Sequence, residues 1–114
     1  MHELSVMGYL LESVEDEARR LGATRVAAIN IVIGERASII DDSLLFYFDM
    51  LTAGSLAEGA TLNIRRTKMS FHCNTCDLDY GRVGDDFRCP HCHTVGQVTD
   101  DGNELLLESI EIQT

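Results

Sequence analysis

Cys73-Asn-Thr-Cys76 and Cys89-Pro-His-Cys92, with twelve residues between them, contain all four cysteines of the chain. A C-x-x-C element can turn two thiolates toward one point. Two such elements close a tetrahedron around an ion and leave no coordination position open for a substrate. The segment between the pairs is long enough for a short hairpin. Three chemistries share this pattern: a structural zinc knuckle, which the spacing favours, an iron centre of rubredoxin type, and redox or disulfide cysteines. Disulfides are disfavoured because nothing in the chain marks it as secreted. The residues that follow each pair, Asp77 and His93, are not the glycines usual in rubredoxin-type sites.

Working outward, the flanks of this stretch read as strands. Upstream, residues 60–71 form a strand that is apolar at Leu62 and Ile64 and then basic at Arg65, Arg66 and Lys68. Downstream, the turn signal Asp100-Asp101-Gly102-Asn103 leads into a last strand over 104–112. Its apolar alternation is broken, since Leu105 and Leu107 face opposite to Ile110 and Ile112. A bulge or burial on both faces would account for that.

The N-terminal half is helical and apolar by turns. Leu4, Met7, Leu11, Val14, Ala18 and Leu21 recur at intervals of three and four, which predicts a helix over 4–21 capped by Gly22. Arg25 to Ile33 is a buried strand broken by Gly34. Asp41 or Asp42 is expected to cap a second helix, about 43–53, with Leu44, Leu45, Phe48 and Leu51 on its apolar side and Gly54 at its end. The order predicts an α+β fold, a three-stranded mixed sheet packed on two helices with an inserted four-cysteine zinc knuckle. The expected domains are residues 1–69 plus 101–114, an α/β domain, and residues 70–100, a zinc-binding domain inserted before the last strand.

Charge narrows the function classes. The chain carries a net −10, and residues 1–59 hold ten acids against four arginines. An acidic body repels phosphate backbones, so nucleic acid is not an expected partner. No basic segment precedes an apolar run at the N-terminus and no apolar stretch has membrane-spanning length, so a cytoplasmic protein without membrane insertion is expected. No Ser/His/Asp set or phosphate loop is present, and the adjacent Asp41-Asp42 pair diverges at a helix start. An enzyme is not expected.

Met1-His2-Glu3 is the second stretch with chemistry in it. A terminal amine, the His2 backbone nitrogen once deprotonated, and the imidazole reach one ion through small chelate rings. Strong nitrogen donors in a plane suit Ni(II) or Cu(II). A solvated terminus is the plainer alternative, and Glu3 alone is equally a first-turn carboxylate favoured by the helix dipole. His72, His91 and His93 flank the cysteines; they are either exposed knuckle residues or imidazoles able to replace a thiolate as pH falls, His93 foremost.

The sequence resembles the HypA/HybF proteins, nickel metallochaperones of [NiFe]-hydrogenase maturation. The likeness is carried by the opening Met1-His2-Glu3-Leu4-Ser5 and by Cys73, Cys76, Cys89, Cys92 and His93. Ile33-Gly34-Glu35, the segment Gly54 to Gly59 and the closing Leu107 to Glu111 match as well. The resemblance implies that His2, with Met1 and backbone nitrogens, binds transient Ni(II), that Glu3 supports that site, and that the four cysteines hold structural Zn(II). Asp41 stands where some relatives place an acid important for nickel delivery. The implied partners are the GTPase HypB and the [NiFe]-hydrogenase large subunit precursor. Urease as a further client and a homodimer are both left open.

Overall fold

The computed structural model describes residues 3–114. Its elements in chain order are α1 (Glu3–Arg20), β1 (Arg25–Gly34), α2 (Asp41–Thr52), β2 (Thr61–Thr67), β3 (Phe71–Cys73), β4 (Leu78–Tyr80), β5 (Gln97–Val98) and β6 (Leu105–Gln113). The strands form two sheets, β2-β1-β6 and β4-β3-β5. The chain divides into two compact units. One runs to Val32 and adds Ser38–Arg65 and Leu105–Thr114; the other comprises Ile33–Ala37 and Arg66–Glu104.

The first unit is a helix–sheet sandwich held by apolar packing. α1 buries Val6, Met7, Leu10, Leu11, Val14 and Ala18 and packs on α2 and β6. Met7, Leu11, Val14 and Ala18 are buried as expected, but Leu4 and Leu21 are both 43% exposed, while Val6 and Leu10 also lie inside. Gly22, at φ 69°, ends the helix. Ala23 N–H donates to Ala18 O at 2.9 Å and Gly22 N–H to Arg19 O at 3.1 Å, which is the Schellman pair of bonds. β1 is buried on both faces, as its largely apolar run requires, with Asn30 only half-buried.

The sheet is mixed. Thr24 N–H bonds Gln113 O, and Asn30 Nδ2 donates to Ser109 Oγ. Residue numbers therefore rise on β1 as they fall on β6, and the pair is antiparallel. Val26 N–H bonds Leu56 O, and Asn63 Nδ2 donates to Asn30 Oδ1. There the numbers rise together, so β1 and β2 are parallel. A parallel pair needs a long crossover, and α2 supplies it. No residue of β6 is buried, which rules out coverage of both faces. Its alternation slips by one residue at Glu108–Ser109, where two exposed positions follow one another.

α2 starts differently from the expectation. Its N-cap is Ile40, with no side-chain cap bond, and Asp41 and Asp42 are already helical. The carboxylate that serves this end comes from Glu3, whose Oε1 accepts the Ile40 N–H at 3.1 Å. Leu44, Phe48 and Thr52 are the buried positions. Leu45 and Leu51, expected inside, are 42% and 38% exposed.

The strand expected over 60–71 is broken into β2 and β3, and the break lies in the second unit. Met69 N–H is taken by the Glu35 carboxylate at 2.8 Å instead of by a neighbouring strand, so the ladder stops. Glu35 also pairs with Arg82. These partners, Met69 N–H first, hold its carboxyl below the usual range. Gly34 is required sterically: a Cβ there would lie 2.0 Å from Gly102 O.

Candidate metal centre

β3 and β4 form a hairpin in register Phe71↔Tyr80, His72↔Asp79, Cys73↔Leu78, so the first cysteine pair occupies its turn. β5 joins β3 on the other side, Phe71 opposite Val98. The second pair follows a tight turn closed by the Val83↔Asp86 bridge and sits inside the Arg88↔Val95 bridge. The hairpin thus straddles Cys73 and Cys76 rather than filling the gap between the pairs.

The two loops solve the same backbone problem in the same way. The residue after each pair, Asp77 at φ 52° and His93 at φ 65°, adopts a left-handed conformation. Aspartate and histidine tolerate that region better than most non-glycine residues. Glycine's absence therefore does not distinguish zinc from iron here, because the backbone turn that glycine would make is made anyway. The turn lets Cys76 N–H approach Cys73 Sγ at 3.5 Å and His93 N–H donate to Cys89 O at 2.9 Å.

The result is a cluster of four sulfurs, all within 4.8 Å of one another. Cys73 Sγ lies 3.4 Å from Cys92 Sγ, and Cys89 Sγ lies 3.9 Å from Cys76 Sγ. A tetrahedral ion with metal–sulfur bonds of about 2.3 Å needs sulfurs about 3.8 Å apart, so the donors already have the spacing of a four-thiolate site. Cys73 and Cys89 are buried, Cys76 and Cys92 partly so, and all four are free thiols. A small cluster supports them. Phe71 stacks on Tyr80 with centroids 5.4 Å apart. The Tyr80 hydroxyl donates to Phe87 O at 2.6 Å and accepts from Gly96 N–H at 2.8 Å.

Electrostatics show why such a cluster takes a cation. The Thr94 hydroxyl, 2.9 Å from Cys92 Sγ, and the Thr94 backbone hold the Cys92 thiol down to about 6. Burial, reinforced by the neighbouring sulfurs, pushes Cys76 up to about 12. The Cys92 thiolate forms readily, whereas Cys76 resists ionisation, first because it is buried and then because other sulfurs surround it. A bound dication removes that resistance.

The other residues singled out by the sequence fall as follows. Met1 and His2 lie outside the described residues. Glu3 opens α1 and, through Ile40, stands beside the start of α2 where Asp41 lies. No histidine joins the sulfur cluster among the described residues. His72 is engaged elsewhere: its Nδ1 lies 2.7 Å from Asp79 Oδ1 and its Nε2 3.4 Å from Asp77 Oδ1. His91 and His93 are exposed. Glu35 and Thr94 were missed by sequence reading. Glu35 gave only the faint signal of a fixed Gly-Glu turn, and Thr94 gave none. Among the described residues no helix is long and apolar enough to cross a membrane.

Comparison with known proteins gives the family. Residues 1–112 match the family model described as "Hydrogenase/urease nickel incorporation, metallochaperone, hypA". The hydrogenase maturation factor HypA of Caldanaerobacter subterraneus subsp. tengcongensis is 38% identical over 99% of this chain and 100% of its own. That of Dehalococcoides mccartyi strain 195 is 35% identical over 98% and 94%. The solution structure of the Ni metallochaperone HypA from Helicobacter pylori superposes with a TM-score of 0.64 at 28% identity, covering 98% of this chain and 97% of that one. A second HypA solution structure gives 0.70 at the same identity, over 99% and 97%. With the match running the length of both units, this chain belongs to the HypA family of hydrogenase maturation factors, nickel metallochaperones rather than enzymes.

Proposed function

We propose that the chain binds Ni(II) through the Met1 amine, His2 and the backbone beside Glu3, and delivers it to the [NiFe]-hydrogenase large subunit precursor. Cys73, Cys76, Cys89 and Cys92 hold structural Zn(II) in this reading. The observation that carries it is the family match from residue 1, where Met-His-Glu stands. A relative of closely similar fold is itself described as a Ni metallochaperone. Residues 1–69 with 101–114 are the nickel-binding part and residues 70–100 the zinc-binding part.

The two sites have opposite requirements. Cargo must be selected and then released, so a shallow chelate at a chain terminus suits it. The four-sulfur site has no open position, so zinc there supplies folding energy and no reaction. The GTPase HypB is the proposed docking partner, and the cytoplasm the proposed compartment.

Equilibrium dialysis against nickel, with zinc measured in the same samples, tests this on wild type, His2→Ala and N-terminally acetylated protein. Both changes should abolish specific nickel binding and leave zinc at one per chain, because acetylation converts the amine to an amide with little basicity. Full nickel affinity after either change, or loss of both metals together, would overturn the two-site reading.

A further inference from the structure

The first unit contains a groove of about 650 Å³ that the metal chemistry does not use. α1 forms one wall with Gly8, Leu11, Glu12, Glu15 and Arg19, and Leu51 and Leu56 form the other. Three observations single it out. Gly8 stands inside an 18-residue helix, where glycine is among the least favourable residues. A Cβ at Gly8 would meet nothing of this chain within 4 Å, so internal packing does not require the gap. Glu15 Oε1 is buried with no hydrogen-bond partner among the described residues, although its other oxygen lies 3.4 Å from Arg19. An unpaired buried acceptor is a standing cost that an incoming donor removes.

The geometry points to a docking groove for an amphipathic helix of a partner protein, bearing an apolar side chain against Gly8 and, one turn away, a lysine or arginine against Glu12 and Glu15. The charge favours a cationic occupant, since the wall carries Glu12 and Glu15 against Arg19, and Arg19 is already paired with Glu15 at 3.4 Å. A helix suits the groove better than an extended strand. The backbone of α1 is satisfied within α1 and offers an extended chain no ladder to join, whereas a helix brings its own hydrogen bonds. From Gly8 to Arg19 the wall is roughly 16 Å long, enough for about three turns. A cation entering there takes the bond that Glu15 Oε1 lacks once that carboxylate turns outward. None of this depends on nickel.

The test uses full-length, zinc-loaded, nickel-free protein labelled with ¹⁵N. The probes are two capped peptides about 15 residues long, long enough to be helical when bound. One carries leucine and lysine on adjacent faces; the other has glutamate in place of lysine. The lysine peptide should shift the amides of Gly8, Glu12, Glu15, Ser55 and Leu56, and the glutamate peptide should not. Gly8→Leu and the double variant E12Q/E15Q should each weaken binding about tenfold or more, while Gly8→Ala raises the melting temperature. Equal binding of both peptides, shifts centred elsewhere, or undiminished affinity in E12Q/E15Q would overturn the assignment. The double variant keeps the test decisive even where Gly8→Leu fails to fold.

Discussion

The two units keep their shape by different means. The first has an apolar core in which Val6, Met7, Leu10, Val14 and Ala18 of α1, Ile29 and Ile31 of β1, and Leu44 and Phe48 of α2 are all nearly free of solvent contact. In the second, the buried cluster consists of Phe71, Cys73, Tyr80 and Cys89. Half of that core is thiol of the candidate metal site. Folding units near or below about 40 residues rarely bury enough surface to stand alone and rely on disulfides or metals, and here the thiols are free. Stability in the first unit is therefore spread over many side chains, and in the second it is concentrated at one point.

The sharpest way to break this comparison is to remove a ligand. Cys89→Ser should lose the metal and, with it, the amide dispersion of β3, β4 and β5, while Ile29 and Ile31 resonances keep theirs. Structural zinc sites of this kind bind with on the order of 10 kcal/mol, more than a unit with so little core has to spare. Retained dispersion in the second unit after metal loss would mean that Phe71 and Tyr80 suffice.

Acid should do the same by degrees. Zinc needs thiolates, so lowering pH opposes it throughout. Cys76, pushed up to about 12, must release its proton to solvent when a dication binds at any pH near neutral. Cys92, held down to about 6, is already ionised at pH 7 and begins to compete for protons only below that value. Zinc affinity measured by chelator competition should therefore fall as pH drops from 8 and fall more steeply below about 6. A flat profile between pH 5 and 8 would contradict the site as described.

Leu44→Ala sharpens the comparison from the other side. Leu44 is fully buried, so the loss should be about 3 kcal/mol from transfer and cavity terms together. Zinc content should remain one per chain. Coupled loss of zinc would show that the two units do not hold themselves separately.

What the sequence could reveal follows the same divide. The metal centre was legible because ligand spacing is local: two C-x-x-C elements specify their own turns, and even the left-handed positions fall at Asp77 and His93 directly after them. The α–β order and Gly22 were legible for the same reason. Long-range choices were not. Met7, Leu11, Val14 and Ala18 of the α1 stripe were legible, but Val6 and Leu10 were not, because a core helix presents a face wider than a single three-four repeat. α2 is apolar nearly all round, so its period does not say that Phe46 and Met50 stay outside at 65% and 51% exposure. Asp41 and Asp42 looked like caps because short acids before an apolar run usually are. The acceptor at that helix start comes instead from Glu3, 37 residues away. Glu35, which ends β2 by taking Met69 N–H, is likewise a contact across 34 residues.

Glu3 carries the smallest expected effect. It is the described residue nearest the proposed nickel chelate, and it also ties the start of α1 to Ile40, directly before Asp41. Glutamine at this position keeps a carbonyl acceptor for the Ile40 N–H and removes only the charge. Glu3→Gln should therefore leave the melting temperature and zinc content unchanged. Nickel affinity should stay within about tenfold, or ~1.4 kcal/mol, because the nitrogen donors of residues 1 and 2 are untouched. What the charge should affect is transfer, where metal and partner share this end of the chain. Binding to HypB or the rate of nickel release to the hydrogenase precursor should drop. Glu3→Ala separates the two roles, since it loses the Ile40 bond as well and should lower stability where Glu3→Gln does not. Unchanged partner binding and transfer in Glu3→Gln would leave Glu3 with the anchoring of α2 as its whole contribution.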